Sequence, residues 1–261
     1  MAEQNKISAW TNRPRNEGCR CFKLIACEIM YREATLLASQ SKNIIDVEFL
    51  RKGLHDAGQD VMRQTIQQAI NATEKDNYDA ILLGYGRCNN GIAGVAAEKI
   101  PLVVPIAHDC ITLFMGSRAK YDQYFSENPG TYYRTTGWTE RDMYDGDSVI
   151  HQLGLDRSFD EYAAQYGREN ALYIMETMGG WEKNYKSLLY IDMGFPMDDE
   201  YAEQARREAD EKHLEFKRMK GDLSLIQRLM AGDWNEEDFL VVRPGEIIAG
   251  DDDGAIIKAT K

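Results

Sequence analysis

The chain is poor in what several protein classes require. Its 261 residues contain no run of 18 apolar residues, so a spanning helix is not expected. The opening stretch MAEQNKISAWTNRPRNEGCRC lacks the apolar core of a secretory leader, so a cytoplasmic protein with no membrane association is expected. Positive charge is scarce: 31 Lys and Arg stand against 43 Asp and Glu, a net charge of −12. A nucleic-acid binder needs a basic face, so a small-molecule substrate or a protein partner is expected instead. Six prolines and 21 glycines exclude collagen-like and low-complexity classes. Cysteines number five, odd and without a leader, which argues against a disulfide scaffold. In a reducing compartment such thiols are buried filler, metal ligands or nucleophiles. Local C-x-x-C pairs and a G-x-x-x-x-G-K-[ST] loop are both lacking.

What is present is alternation. Short apolar runs read as strands at CFKLIAC (21–27), IIDVEFL (44–50), YDAILLGY (78–85) and LVVPI (102–106). Helical patterns separate them at 28–38, at 60–73, where Val61, Ile66, Ala69 and Ile70 form the apolar face, and at 110–125. TYYRT (131–135) is β-like, and alternation resumes with strands at 188–193, 214–219 and 239–242 and helices at 200–213 and 223–231. This is the pattern of an α/β fold: a mostly parallel, doubly wound, Rossmann-like sheet with helices on both faces. A helical insertion is expected near 138–186, including a long helix over Phe159–Met178. Residues 1–20 read as an irregular arm, 21–248 as one α/β domain or two halves (21–137 and 187–248), and 249–261 as a solvated acidic tail.

In open parallel sheets, ligands bind outside the carboxyl ends of the strands. Cys27 ends the first strand, His55 comes just after the second, Cys88 lies past the third, and His108, Asp109 and Cys110 follow the fourth. Thiolate and imidazole are the ligands of zinc and, with more thiolates, of an iron–sulfur cluster. On placement alone, the three thiols read equally well as small buried hydrophobes. Cys19 and Cys21 lie in the irregular lead-in, and His151 and His213 in polar stretches, where solvated side chains are expected. The loop Gly84-Tyr85-Gly86-Arg87-Cys88 fails the dinucleotide fingerprint, since Asn89 stands where the third glycine belongs. Its glycines instead let backbone approach a ligand, which makes Gly86 and Arg87 binding candidates. Arg118 suits a carboxylate or phosphate, or a surface ion pair. Trp138, in a run of aromatics, suits a pocket wall or core packing, and Asp192, at the end of LLYIDM, a crevice-facing polar group or a cap.

At these residues the chain resembles the bacterial and archaeal family named domain of unknown function 1638. The likeness rests on Ala26-Cys27, Gly53-Leu54-His55, Gly84 to Cys88, His108-Asp109-Cys110, Gly116-Ser117-Arg118, Asn128 to Tyr133, Gly137-Trp138, Asp192-Met193-Gly194 and Gly232-Asp233-Trp234, and runs over roughly residues 21 to 248. The resemblance implies a soluble α/β protein whose pattern includes Cys27, Cys88 and Cys110 but not Cys19 or Cys21. It also associates the chain with organisms that use corrinoid-dependent methyl transfer, which implies a corrinoid protein as partner.

Three functions follow as expectations. The first is an enzyme with a zinc or iron–sulfur centre on Cys27, Cys88 and Cys110. There His55 or His108 is a fourth ligand or an acid–base group, with Asp109 as a further catalytic candidate, in corrinoid-linked methyl transfer or another one-carbon reaction. The second is a non-catalytic metal-binding, cofactor-binding or corrinoid-partner protein. The third is a metal-free cysteine nucleophile with His108 or His55 as base. Oligomeric state is not legible.

Overall fold

A computed structural model describes residues 18–54, 57–74, 77–88, 90–144, 163–164, 167–168, 170, 185–251 and 256–261. The expected helix over Phe159–Met178 and the residues His55 and His151 lie wholly or largely outside the described residues.

Four parallel strands build the first sheet: β1 (Cys21–Cys27), β2 (Ile44–Leu50), β3 (Ala80–Gly84) and β4 (Leu102–Pro105). β3, AILLG, is buried along its whole length, as a strand covered on both faces must be. β2 is the half-exposed edge. The opposite edge is β8 (Phe239–Val242), which pairs antiparallel with β4, so the order is β2-β1-β3-β4-β8 and the sheet is mixed. The expectation of a mostly parallel sheet with helices stands. The strands do not form one open parallel sheet: β8 joins the first sheet antiparallel, and the other later strands pair among themselves. A second, all-parallel sheet joins β5 (Thr131–Thr135), β6 (Ser187–Asp192) and β7 (Glu215–Lys220).

The pleat of the first sheet sends alternate residues to two cores. Leu24, Ala26, Leu82 and Val103 face α1 (Tyr31–Gln40), α3 (Cys110–Met115) and α7 (Ser224–Ala231). Ile25, Ile81, Leu83 and Val104 face α2 (Gln59–Ala72). On α2 the buried stripe is Met62, Ile66, Ala69 and Ile70, spaced at one helical face, whereas Val61 is exposed, contrary to expectation. The second sheet shares the first core through Leu189 and Ile191. Its other face, Leu188 and Tyr190, packs under α6 (Asp198–Glu211).

Two further expectations are corrected. The helix expected over 110–125 is broken. α3 ends at Gly116, which has the left-handed φ of 79°, and α4 (Arg118–Glu127) starts afresh with Ser117 accepting from the Lys120 N–H. The acidic tail is not a solvated tail. β9 (Ile247–Asp251) and β10 (Ile256–Thr260) form an antiparallel hairpin whose Ile248, Ile256 and Ile257 are buried against the α2 face. The isoleucine pairs on either side of the acid run supply the apolar area that a free tail would lack.

One buried group opposes the core it sits in. Glu33 on α1 has zero exposure, and among the described residues neither carboxylate oxygen has a hydrogen-bond partner. Burial, with smaller contributions from Asp198 and Glu140, pushes its pKa up to about 8. A raised carboxyl stabilises the fold below its unfolded pKa, and that stability is lost as pH rises through the folded pKa. Glu33→Gln is therefore expected to gain stability over wild type between pH 4.5 and 8. The gain at pH 7 has a ceiling of about 3 kcal/mol. Urea unfolding of both proteins across that range checks it; parallel stability profiles would count against an uncompensated Glu33.

Candidate functional site

β1, β3 and β4 are adjacent, so their carboxyl ends open on one place. Cys27 is the last residue of β1, level with Leu50 of β2. After β3 and β4 the two chains stay paired. The Arg87 N–H donates to the Ala107 carbonyl at 2.8 Å and the Cys88 N–H to the His108 carbonyl at 2.9 Å. This close approach needs Gly86, since a Cβ there would lie 2.7 Å from the Asp109 backbone. The loop then turns through two non-glycine residues with positive φ, Cys88 at 43° and Asn90 at 64°. Such conformations carry strain and cluster at functional sites.

Cys110 opens α3. Asp109 caps that helix: Oδ1 accepts from the Ile111 and Thr112 N–H groups at 3.0 and 3.4 Å, and Oδ2 accepts from the Tyr121 hydroxyl at 2.9 Å. A fourth wall arrives from α5 (Thr136–Tyr144), which follows β5 directly. Any Cβ on Gly137 would overlap the Ile29 carbonyl oxygen, so only glycine lets α5 seat on the 3₁₀ turn after Cys27. The next residue, Trp138, then reaches the thiols.

The result is one small cavity lined by Cys27, Cys88 and Cys110, by Tyr85, Trp138, Ile29, Leu54 and Met62, and by Arg51 and Lys52. It offers about 20 Å³ to the centre of a water-sized sphere, room for about one water. Burial pushes the Cys27 and Cys88 thiols up to about 12, and Cys110 also far above its ordinary value. After burial, Glu28 raises Cys27 further, Asp109 and Cys27 raise Cys88, and Cys88, Asp109 and Cys27 raise Cys110. All three are free thiols, held protonated at neutral pH. Among the described residues no group of three or more His, Cys, Asp and Glu side chains has the spacing of a formed metal site.

Of the residues singled out in the sequence, the cavity brings together Cys27, Cys88, Cys110 and Trp138. Gly86 shapes the loop from beneath. The others among the described residues lie elsewhere. Half-exposed His108 faces Asp122, with Nε2 3.6 Å from Oδ1, and stacks on Tyr121. Asp109 is engaged as a cap, with its pKa raised by burial. Arg87 bonds Asn90 and lies against Gly250 of β9. Arg118 starts α4 outside the lining. Asp192 ends β6 in the second sheet, where it pairs with Arg218 at 2.6 Å and accepts from the Gly194 N–H. Cys21 begins β1 at the opposite end from Cys27, and the Cys19 Sγ lies 3.3 Å from the Lys42 carbonyl. Sequence reasoning missed Tyr85, although it stands inside the glycine loop. It also missed Arg51 and Lys52, which follow the end of β2 by the same strand-end rule.

A family model described as a protein of unknown function (DUF1638) matches residues 49–230. The chain belongs to this family. The DUF1638 match takes in Cys88, Cys110 and Trp138 and starts after Cys27. No curated protein and no solved structure matches the chain. Among the described residues no helix is long and apolar enough to cross a membrane.

Gly137→Ala is expected to lift α5 off the 3₁₀ turn and lower stability by about 1–3 kcal/mol. It should also expose Trp138 to quenchers. Thermal unfolding and iodide quenching of tryptophan fluorescence measure both effects. Unchanged quenching would mean that α5 does not seat Trp138 on the cavity.

Proposed function

We propose that this DUF1638 protein is an enzyme built around a thiolate-held metal centre, zinc or iron–sulfur, on Cys27, Cys88 and Cys110. One observation carries the reading: three cysteines from three adjacent strand ends line a single cavity, while Cys19 and Cys21 stay away from it. The donor set is the soft one that these metals prefer. His55, which follows Leu54 in the sequence and lies outside the described residues, is the proposed fourth ligand.

The protonation of the thiols favours this reading over an unassisted nucleophile. A nucleophilic cysteine needs a lowered pKa, and burial drives all three the other way. His108 is directed at Asp122 rather than at a thiol. Held by Cys27, Cys88 and Cys110, a divalent cation would favour the thiolate form of these side chains, opposite to the effect of burial. When bound, the centre supplies a Lewis acid able to ionise a substrate thiol, the acceptor that a one-carbon transfer requires. The rest is the work of the chain: Trp138, Ile29, Leu54 and Met62 exclude water, and the paired loops hold Cys88 and Cys110 in place. A corrinoid protein as methyl donor belongs to this proposal through the family association alone; no side chain of the cavity argues for it.

Elemental analysis and an absorption spectrum of anaerobically purified protein test the centre. Wild type is expected to carry stoichiometric metal, colourless for zinc and brown for iron–sulfur. Cys27→Ala, Cys88→Ala and Cys110→Ala should each lose most of it, while Cys19→Ala and Cys21→Ala keep it. A wild-type protein free of metal would sink the reading, as would equal content in all five variants.

A further inference from the structure

Among the described residues the first and second sheets end in four edges: β2 and β8 in the first, β5 and β7 in the second. An open edge is a row of unpaired N–H and C=O groups, and proteins keep such rows apart with short strands, cations and proline. β8 has four residues and runs into Arg243-Pro244. β7 carries Lys217, Arg218 and Lys220, and β5 carries Arg134. β2, IIDVEFL, has seven residues with neither a cation nor a proline. Among the described residues it packs on β1 and α1, and no strand pairs with its outer side.

Pairing with β1 fixes which way its main chain points. The Ile44 N–H donates to the Arg20 carbonyl at 2.9 Å, so Ile44, Asp46, Glu48 and Leu50 turn their polar groups to β1. Ile45, Val47 and Phe49 turn theirs outward. The side chains are symmetric in kind about Val47: two apolar, an acid, valine, an acid, two apolar. Turned about a two-fold axis at Val47, a second copy sets Ile45 against Phe49, Val47 against Val47 and Ile44 against Leu50. The three outward residues then become the hydrogen-bonded positions of an antiparallel ladder. Only Asp46 and Glu48 meet as like charges, and each is already held in its own sheet. Lys23 Nζ lies 2.7 Å from Glu48, and the Tyr78 hydroxyl donates to Asp46 at 2.8 Å. Ile45, Val47 and Phe49 pack on the α1 side. There Tyr31, 42% exposed and 5.5 Å from the Phe49 ring, carries the apolar surface past the strand.

We infer that two copies of the chain join at this edge, β2 against β2 in antiparallel register about Val47, so that the five-stranded sheet is doubled. The occupant is a second copy rather than a foreign strand because the edge is complementary to itself on both faces. The inference is independent of what the thiol cavity holds. It does set the start of one copy's β2 beside Leu50 of the other, next to Arg51 and Lys52 of the cavity lining.

Sedimentation equilibrium of the full chain tests this. A seven-residue edge is about 23 Å long, a small interface, so a reversible dimer is expected over about 1–200 μM. Raised salt should tighten it by screening Asp46 from Glu48. Val47→Pro removes an outward N–H and leaves the bonds to β1 intact, since proline is tolerated on an edge strand when that side is free. It should weaken the dimer about tenfold or more, because the symmetric contact loses two donors. Asp46→Lys, at an exposed position, should tighten the dimer about threefold or more, because each lysine then faces Glu48 of the other copy. The second variant decides the matter if the first folds poorly, and an edge cation would hinder any unrelated strand. A monomer throughout the range overturns the inference. So does a dimer unchanged by Val47→Pro that is folded by circular dichroism, or one that Asp46→Lys weakens. A different protein bound one to one and released by Val47→Pro would put a foreign strand on this edge and overturn it too.

Discussion

The thiol cavity depends on two main-chain hydrogen bonds made after the sheet has ended. The Arg87 and Cys88 N–H groups reach the Ala107 and His108 carbonyls and carry the β3–β4 pairing two rungs further. Through them, Cys88 is held where Cys110 begins α3, although the two come from different crossovers. The zipper is possible only because Gly86 has no side chain to strike the Asp109 backbone. It also turns Asp109 into a cap, since the residue pinned beneath the loop is the one that must satisfy the first N–H groups of α3. The positive φ of Cys88 follows from the same geometry, because the chain has to leave the zipper at once to clear α3. Main-chain geometry at two loops thus sets the positions of two thiols and removes one carboxylate from the chemistry.

Burial decides the state of those thiols. Cys110 stands in the first turn of a helix, where the dipole favours an anion by about 0.3–1 kcal/mol, or less than one pKa unit. Cys27 and Cys88, raised from 9.0 to about 12, give the scale of the opposing effect, about 4 kcal/mol each way of the proton. Burial wins, so each thiol in the absence of a cation is a neutral, weakly polar group that packs like a small hydrophobe. Packing and ligation are thus two protonation states of one arrangement, and the sequence could not choose between them. A cavity of three neutral thiols is tolerable to the fold, whereas three thiolates there without a cation would not be.

Much of this was legible, for a physical reason. AILLG and LVVP are buried on both faces and so read as unbroken apolar runs, which locates their ends, and ligands gather at strand ends. Cys27, Cys88 and Cys110 follow from that rule alone. Pairing partners were not legible. TYYRT has the residues of a strand, but nothing within it says that it pairs with SLLYID, more than fifty residues on, rather than with LVVP. Nor does FLVV announce that it runs antiparallel to β4. Periodicity reports an element and its buried face, never its neighbour. The hairpin at the end was hidden by its charges, and Arg51 and Lys52 by theirs, since a long cationic chain after a strand ordinarily reads as solvated.

The second sheet then has a reason to be where it is. β5 leads directly into α5, so the pairing of β5 with β6 sets where that helix starts. Its first residue is pinned from below: the Thr136 Oγ1 lies 2.9 Å from the Tyr190 hydroxyl, and both hydroxyls reach the buried Asp198 carboxylate of α6. The Phe195 N–H donates to the other oxygen of Asp198 at 2.6 Å, so the carboxylate is satisfied and the network is rigid. Further along α5, Glu140 takes both nitrogens of an Arg32 fork from α1. Between these two anchors lie Gly137, which touches the turn after Cys27, and Trp138, which closes the cavity. Trp138 is therefore positioned by Asp198, a residue that does not line the cavity and acts through β6, Thr136 and one glycine. A wall held by a satisfied buried network and an ion pair is fixed by contacts outside the cavity, independently of what the small space behind it contains.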